Sequence, residues 1–197
     1  MGNYHILNNE AEHLTVTDTW YAVHTEELPS SISIKSIHLS ELLHKEERLD
    51  LILPLSEVIE PKGLLSELLS FIALRSSRLG VWADTNVSTD QIDILLKVTK
   101  DANYPLVNNL DLIVLYQPSF VDGRSFSQAR HLRQQGFEGE IRIAGHFGRD
   151  QIAYLKRAGV DSFIIADENL GDDIVNAFNA LPSSYDGVVA DQLPMFR

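Results

Sequence analysis

Residues 110–166 read LDLIVLYQPSFVDGRSFSQARHLRQQGFEGEIRIAGHFGRDQIAYLKRAGVDSFIIA, and this stretch decides the fold class. Three apolar runs, Leu110–Tyr116, Glu140–Gly145 and Ser162–Ala166, are each too short for a helix of ordinary length. Between them lie two segments of helical length with charges on one face, 125–135 and 149–158. Strand–helix–strand alternation at this spacing predicts βα units and a mainly parallel sheet. Working outward, Leu49–Leu55 and Leu79–Ala83 read as further strands, and 62–77, 89–102 and 170–180 as further helices. Segment 62–77 is apolar on most sides, which predicts a central core helix or, as the alternative, a subunit interface.

Local chemistry supports these boundaries. Ser88-x-x-Gln91 and Ser125-x-x-Gln128 fit capping boxes, while Gly136 and Gly159 stand where helices end in a left-handed residue. Residues 4–24 read as short strands at Tyr4–Leu7, Leu14–Thr17 and Trp20–Val23, and Ser40–Arg48 as a short helix. The expected architecture is α/β, with a mainly parallel sheet of five or six strands and flanking helices. An open three-layer sandwich comes first and a partial barrel is the alternative. Residues 1–48 would form a small N-terminal β appendage and linker, 49–181 the parallel domain, and 182–197 an extended tail whose Leu193, Met195 and Phe196 pack back on the body. Arg142, set inside the apolar run Ile141-Arg-Ile-Ala, discriminates the architectures. Burial inside a closed sheet favours the barrel, whereas helices on both faces rule it out.

The 197-residue chain carries a net charge of −12 and no cysteine. That charge opposes non-specific binding to nucleic acid or anionic membranes, which needs an extended basic surface. The absence of cysteine excludes thiol–disulfide exchange and thiolate-held clusters, so a redox role would need a borrowed cofactor. No apolar run is long enough to span a bilayer and no signal-peptide pattern opens the chain, so a cytoplasmic location is expected.

Against this acidic background, residues 121–160 hold seven Lys/Arg and four Asp/Glu, a net of +3, leaving −15 for the remainder. A cationic island on an acidic protein implies an anionic ligand or internal ion pairing. Parallel α/β sheets gather ligands at the carboxyl ends of their strands, where each following helix aims its N-terminus. The binding candidates are Asp122, Arg124, Ser127, His146, Arg149, Asp150 and Gln151 at that edge, with Arg130 and Arg133 three apart on the helix that follows. For those two, solvated surface or cross-element pairing is the first reading and a ligand role the second. Arg124 suits a bidentate oxyanion contact. It could equally pair with Asp122 or Asp150 and lock two loops together. If the two strands are neighbours, Arg124 should lie within reach of residues 146–151. His146 is the candidate acid or base. No metal-ligand spacing, P-loop, dinucleotide fingerprint or nucleophile elbow occurs, so no metal is expected and no cofactor is assigned.

The run Phe120-x-Asp-Gly-Arg-x-Phe-Ser-x-Ala-Arg-x-Leu-Arg133, then Gly136-Phe-x-Gly-Glu-Ile-Arg142, then Arg149-Asp-Gln151 and Arg157-x-Gly-x-Asp161-x-Phe163, resembles an uncharacterised bacterial family. Its members are described as domain-of-unknown-function proteins or as an oxidoreductase probably involved in sulfite reduction, encoded beside sulfite reductase. The resemblance is dense over residues 110–165. The family pattern has aspartate at the position of His146 and commonly cysteine at that of Ala158, so chemistry carried by either is lost or altered here. The resemblance implies an accessory or binding protein of assimilatory sulfite or sulfate reduction, with a small oxyanion or a sulfite reductase component as partner. An oxidoreductase-type enzyme at the same edge and a structural domain with an internal salt-bridge network remain as alternatives, and a second copy of the chain stays open as a partner.

Overall fold

The computed structural model describes residues 4–24, 34–59, 76–84, 86–98 and 110–179. Its strands are β1 Tyr4–Asn8, β2 Trp20–His24, β3 Ser36–His38, β4 Leu49–Pro54, β5 Ser76–Ala83, β6 Leu110–Gln117, β7 Glu140–Gly145 and β8 Ser162–Ala166. The helices are α1 Leu39–His44, α2 Leu55–Ile59, α3 Thr89–Val98, α4 Arg124–Gln134, α5 Arg149–Ala158 and α6 Asp172–Asn179. All eight strands form one curled half-barrel sheet in the order β1-β8-β7-β6-β5-β4-β2-β3. Seven run parallel, and β1 pairs antiparallel with β8, Tyr4 opposite Ala166 and Asn8 opposite Ser162.

Eight strands replace the expected five or six, because the short N-terminal strands occupy both ends of the sheet rather than standing apart from it. The turn after β1 corrects a second expectation. Leu14–Thr17 forms no strand; Thr17 and Asp18 both donate their amides to Leu14 O, at 3.1 and 2.8 Å. The short helix is confined to Leu39–His44. Of segment 62–77, only Ser76 and Ser77 fall among the described residues, and they open β5. The tail, with Leu193, Met195 and Phe196, lies outside the described residues.

Residue alternation along the strands creates two separate cores. Positions such as Val81, Ile113, Leu115, Ile143 and Phe163 join the buried helix residues Leu42, Val58, Leu95, Leu132, Leu155 and Phe178 in one cluster. The intervening positions Ile52, Leu112, Val114, Ala144 and Ile164 form a second cluster with Ile6 and Trp20, and no described helix contributes to it. The described helices therefore cover one face, and the half-barrel replaces the three-layer sandwich. Gly80 permits the tight curl: a Cβ there would lie 3.2 Å from Ile52, Leu112 and the Trp20 ring at once.

Arg142 settles the geometry from the inside. It is 3% exposed, and its Nη1 sits 2.9 Å from Asp18 Oδ1, on the turn that leads into β2. Its Nε donates to Glu140 Oε1 and Ser162 Oγ, both at 3.0 Å. Lys35 Nζ donates to the Asp18 carbonyl, and Lys35 N–H donates to Tyr4 Oη at 3.1 Å. Residues from the two ends of the sheet thus meet across its concave side.

A second clasp lies at the amino ends of β4 and β5. Arg78 Nη2 donates to Asp50 Oδ2 at 2.6 Å and to Thr19 Oγ1 at 2.9 Å, with its guanidinium 4.8 Å above the Trp20 ring. Burial pushes the Asp50 carboxyl up, but hydrogen bonds from Arg78 and Thr19 outweigh it and hold the group below its ordinary value. A carboxylate with a depressed folded-state pKa adds stability above its unfolded pKa of about 3.9 and loses it as pH falls through the lower folded value. Urea titrations should show Asp50→Asn less stable than wild type at neutral pH. That difference should shrink once the pH drops below about 4. A difference constant down to the acid limit would contradict the assigned ionisation.

Candidate anion site at the carboxyl edge

The edge is organised by an amide that ends an apolar strand. Gln117 closes β6 at 1% exposure. Its Oε1 accepts the Ser125 hydroxyl at 2.7 Å, and its Nε2 donates to His146 O at 3.0 Å and to Gln151 Oε1 at 3.1 Å. Its backbone carbonyl accepts the His146 amide at 2.8 Å. Gln151 passes the connection on: its Oε1 also accepts Gly148 N–H at 3.1 Å, and its Nε2 donates to Phe120 O at 2.9 Å. Two side-chain amides therefore stitch the loop after β6 to the loop after β7.

This arrangement changes the roles of several residues. Ser88 and Gln91 form the expected box, Gln91 N–H donating to Ser88 Oγ at 3.3 Å and Ser88 N–H to Gln91 Oε1 at 2.9 Å. Ser125 and Gln128 do not. Helix α4 begins one residue earlier, at Arg124, so Ser125 turns to Gln117 and Gln128 Nε2 reaches Val87 O at 2.8 Å. Gly136 and Gly159 adopt the expected positive φ, 80° and 103°. Gly145 is also left-handed at φ 106°, and a Cβ on it would fall 2.1 Å from Gln117 O. The sharp exit of β7 that places His146 under Gln117 requires glycine there.

Arg124 pairs with Asp122, not with Asp150. Its Nε and Nη2 reach the two carboxylate oxygens at 3.0 and 2.6 Å, and its own amide donates to Asp122 Oδ1 at 3.1 Å. The hydrogen bond from Arg124 holds the Asp122 carboxyl below its ordinary value. Even so, the Arg124 side chain is 56% exposed. On the neighbouring loop Arg149 is more open still, at 67%, with Asp173 Oδ2 3.7 Å from its Nη1. His146 and Asp150 are exposed beside it.

The remaining candidates diverge. Ser127 and Arg130 lie on the exposed side of α4. Arg133 belongs to the opposite end of the sheet: its Nη1 donates to Phe137 O at 2.7 Å and Gly139 O at 2.9 Å, its Nε to Gly159 O at 3.1 Å, and its Nη2 to Asp161. That guanidinium ties the start of β7 to the start of β8, at the end of the sheet away from the carboxyl edge. Gln117 and Ser125 are the residues that sequence reasoning under-read. Their only signal was a polar residue ending an apolar run and a hydroxyl in the next first turn.

Both helices at this edge open on glycine. Gly123 and Gly148 are the N-caps of α4 and α5, neither helix has a side-chain cap hydrogen bond at that residue, and α4 has no acid in its first turn. First-turn amides have no intrahelical acceptor and carry the positive end of the helix dipole. Such an edge can hold a small oxyanion. Among the described residues, no group of three His, Asp or Glu side chains is placed to hold a metal ion. No described helix is long and apolar enough to cross a membrane.

The chain belongs to the family described as "Bacterial protein of unknown function (DUF934)", whose model matches residues 94–196. No curated protein matches it.

Proposed function

We propose that this chain is an accessory or binding protein of assimilatory sulfite or sulfate reduction, cytoplasmic, with a small oxyanion held at the carboxyl edge of β6 and β7. The observation that carries the anion site is the pair of glycine-capped helices, α4 and α5, opening side by side on loops fixed by Gln117 and Gln151. Arg124 and Arg149 stand exposed beside them and supply the charge. The link to sulfur chemistry comes from the resemblance described above, not from the geometry.

Calorimetric titration with sulfite, sulfate and phosphate tests the site. Arg124→Ala and Arg149→Ala should each weaken binding about tenfold, or about 1.4 kcal/mol. Melting temperatures should barely move, because both side chains are exposed. Asp122→Asn should tighten binding by releasing Arg124. The reading fails if wild type binds none of these anions and captures no sulfite reductase component.

The Arg124–Asp122 pair favours a second reading, a structural domain whose island is satisfied internally. That reading expects no anion affinity in wild type or in Asp122→Asn. An enzyme with a borrowed cofactor, using exposed His146 as acid or base, is the third. A flavin or haem band in the absorbance spectrum of the purified protein would favour it.

A further inference from the structure

We propose that Trp82 and Tyr116 form a stacking site for a flat nucleobase-like ring, so that the ligand of this edge is a mononucleotide. The phosphate half rests on the anion reading above; the ring half stands on separate observations. Trp82 on β5 and Tyr116 on β6 are both partly exposed, and both pack on the concave cluster near the carboxyl ends of adjacent strands. Their ring centroids are 5.6 Å apart with a tilt of 33°. Together they make an aromatic shelf at the edge where parallel βα sheets bind ligands.

The concave face offers no comparable surface elsewhere among the described residues. Trp20 is 4% exposed and carries the Arg78 guanidinium on its ring. Arg142 is enclosed by Asp18, Glu140 and Ser162. At the shelf, by contrast, the Trp82 indole N–H and the Tyr116 hydroxyl have no hydrogen-bond partner among the described residues, so two donors are available to ring acceptors. Gly145 connects the shelf to the anion site. A Cβ there would lie 3.0 Å from Tyr116 Cε2, so the tyrosine ring rests against the β7 backbone that leads into His146, Gly148 and the start of α5. The rings stand on the concave face and α5 packs on the opposite one, so a mononucleotide would reach from one to the other over the carboxyl edge, across strands whose backbones lie about 4.8 Å apart. Aromatic stacking tolerates any base, because each has a π face. Recognition would then come from the two donors.

Calorimetry with adenosine, AMP and inorganic phosphate separates the two halves. Wild type should bind adenosine, and should bind AMP about tenfold more tightly than either fragment. Trp82→Leu and Tyr116→Leu should each weaken adenosine and AMP about tenfold and leave phosphate unchanged; Arg149→Ala should weaken phosphate and AMP only. Tryptophan fluorescence gives an independent reading, since the chain has 2 Trp and Trp20 is buried. Phosphate binding with AMP no tighter, or AMP affinity intact in both leucine variants, overturns the nucleotide assignment and leaves the anion reading standing. Adenosine binding without phosphate binding overturns the anion reading and the mononucleotide with it. Failure of adenosine and AMP to bind at all overturns the shelf.

Discussion

Replacing Arg142 by methionine should cost about 3–5 kcal/mol of folding free energy, the usual penalty for stranding one partner of a buried ion pair. Asp18 would be left beside the concave core without its guanidinium partner, at a position only 9% exposed in the wild type. Urea unfolding at neutral pH measures the loss. The double variant Asp18→Asn/Arg142→Met should be less damaged than the sum of its singles, because the second change removes the stranded charge. A single variant within about 0.5 kcal/mol of wild type would mean that the pair is solvated and the sheet is not curled around it.

Gly145→Ala is expected to be the second most damaging change. The dihedral alone costs roughly 1–3 kcal/mol for a residue with a side chain, and the new methyl would meet Gln117 O at 2.1 Å. At about 2–4 °C per kcal/mol for a chain of this size, the melting temperature should fall by several degrees. The effect should extend beyond stability. Moving Gly145 displaces His146, whose amide and carbonyl are both bound by Gln117, and so disturbs the spacing of the α4 and α5 N-termini. Anion affinity should therefore fall together with stability, unlike in Arg149→Ala, where only affinity should change. An unaltered melting temperature would contradict the close approach of β7 to Gln117.

These two residues mark where sequence reading succeeds and where it stops. From β4 onward, β4, β6, β7, β8 and helices α4, α5 and α6 fall within a residue or two of the positions read from apolar periodicity, because each βα unit buries one continuous strand and one helix stripe locally. β5 begins three residues earlier than that reading, and the periodicity leaves the one-turn helix α2 unmarked. Arg142 was recognisable as an anomaly in an apolar strand. Its partner was not, since Asp18 is 124 residues away and reaches it only because the sheet curls. The same limit applies to β1, whose pairing with β8 is a long-range choice that no local pattern encodes. Asp122 and Arg124 could be placed together from Asp-Gly-Arg alone. That Arg133, nine residues on, serves the opposite end of the sheet follows from the length of α4 rather than from its charge. Gln151 matched the family motif in place, but both ends of its amide are spent on the loops themselves.

The antiparallel seam between β1 and β8 sets an order on biosynthesis. Of the described strands, Tyr4–Asn8 leaves the ribosome before all the others and its hydrogen-bonding partner Ser162–Ala166 after them. Until then Ile6 and Leu7, both fully buried in the finished sheet, have no permanent cover. The nascent chain must carry this strand unpaired through synthesis of every intervening βα unit. Translation stalled before residue 162 yields a sheet with a bare β7 edge and a loose hydrophobic strand, the combination most readily captured by a holdase or by another nascent copy.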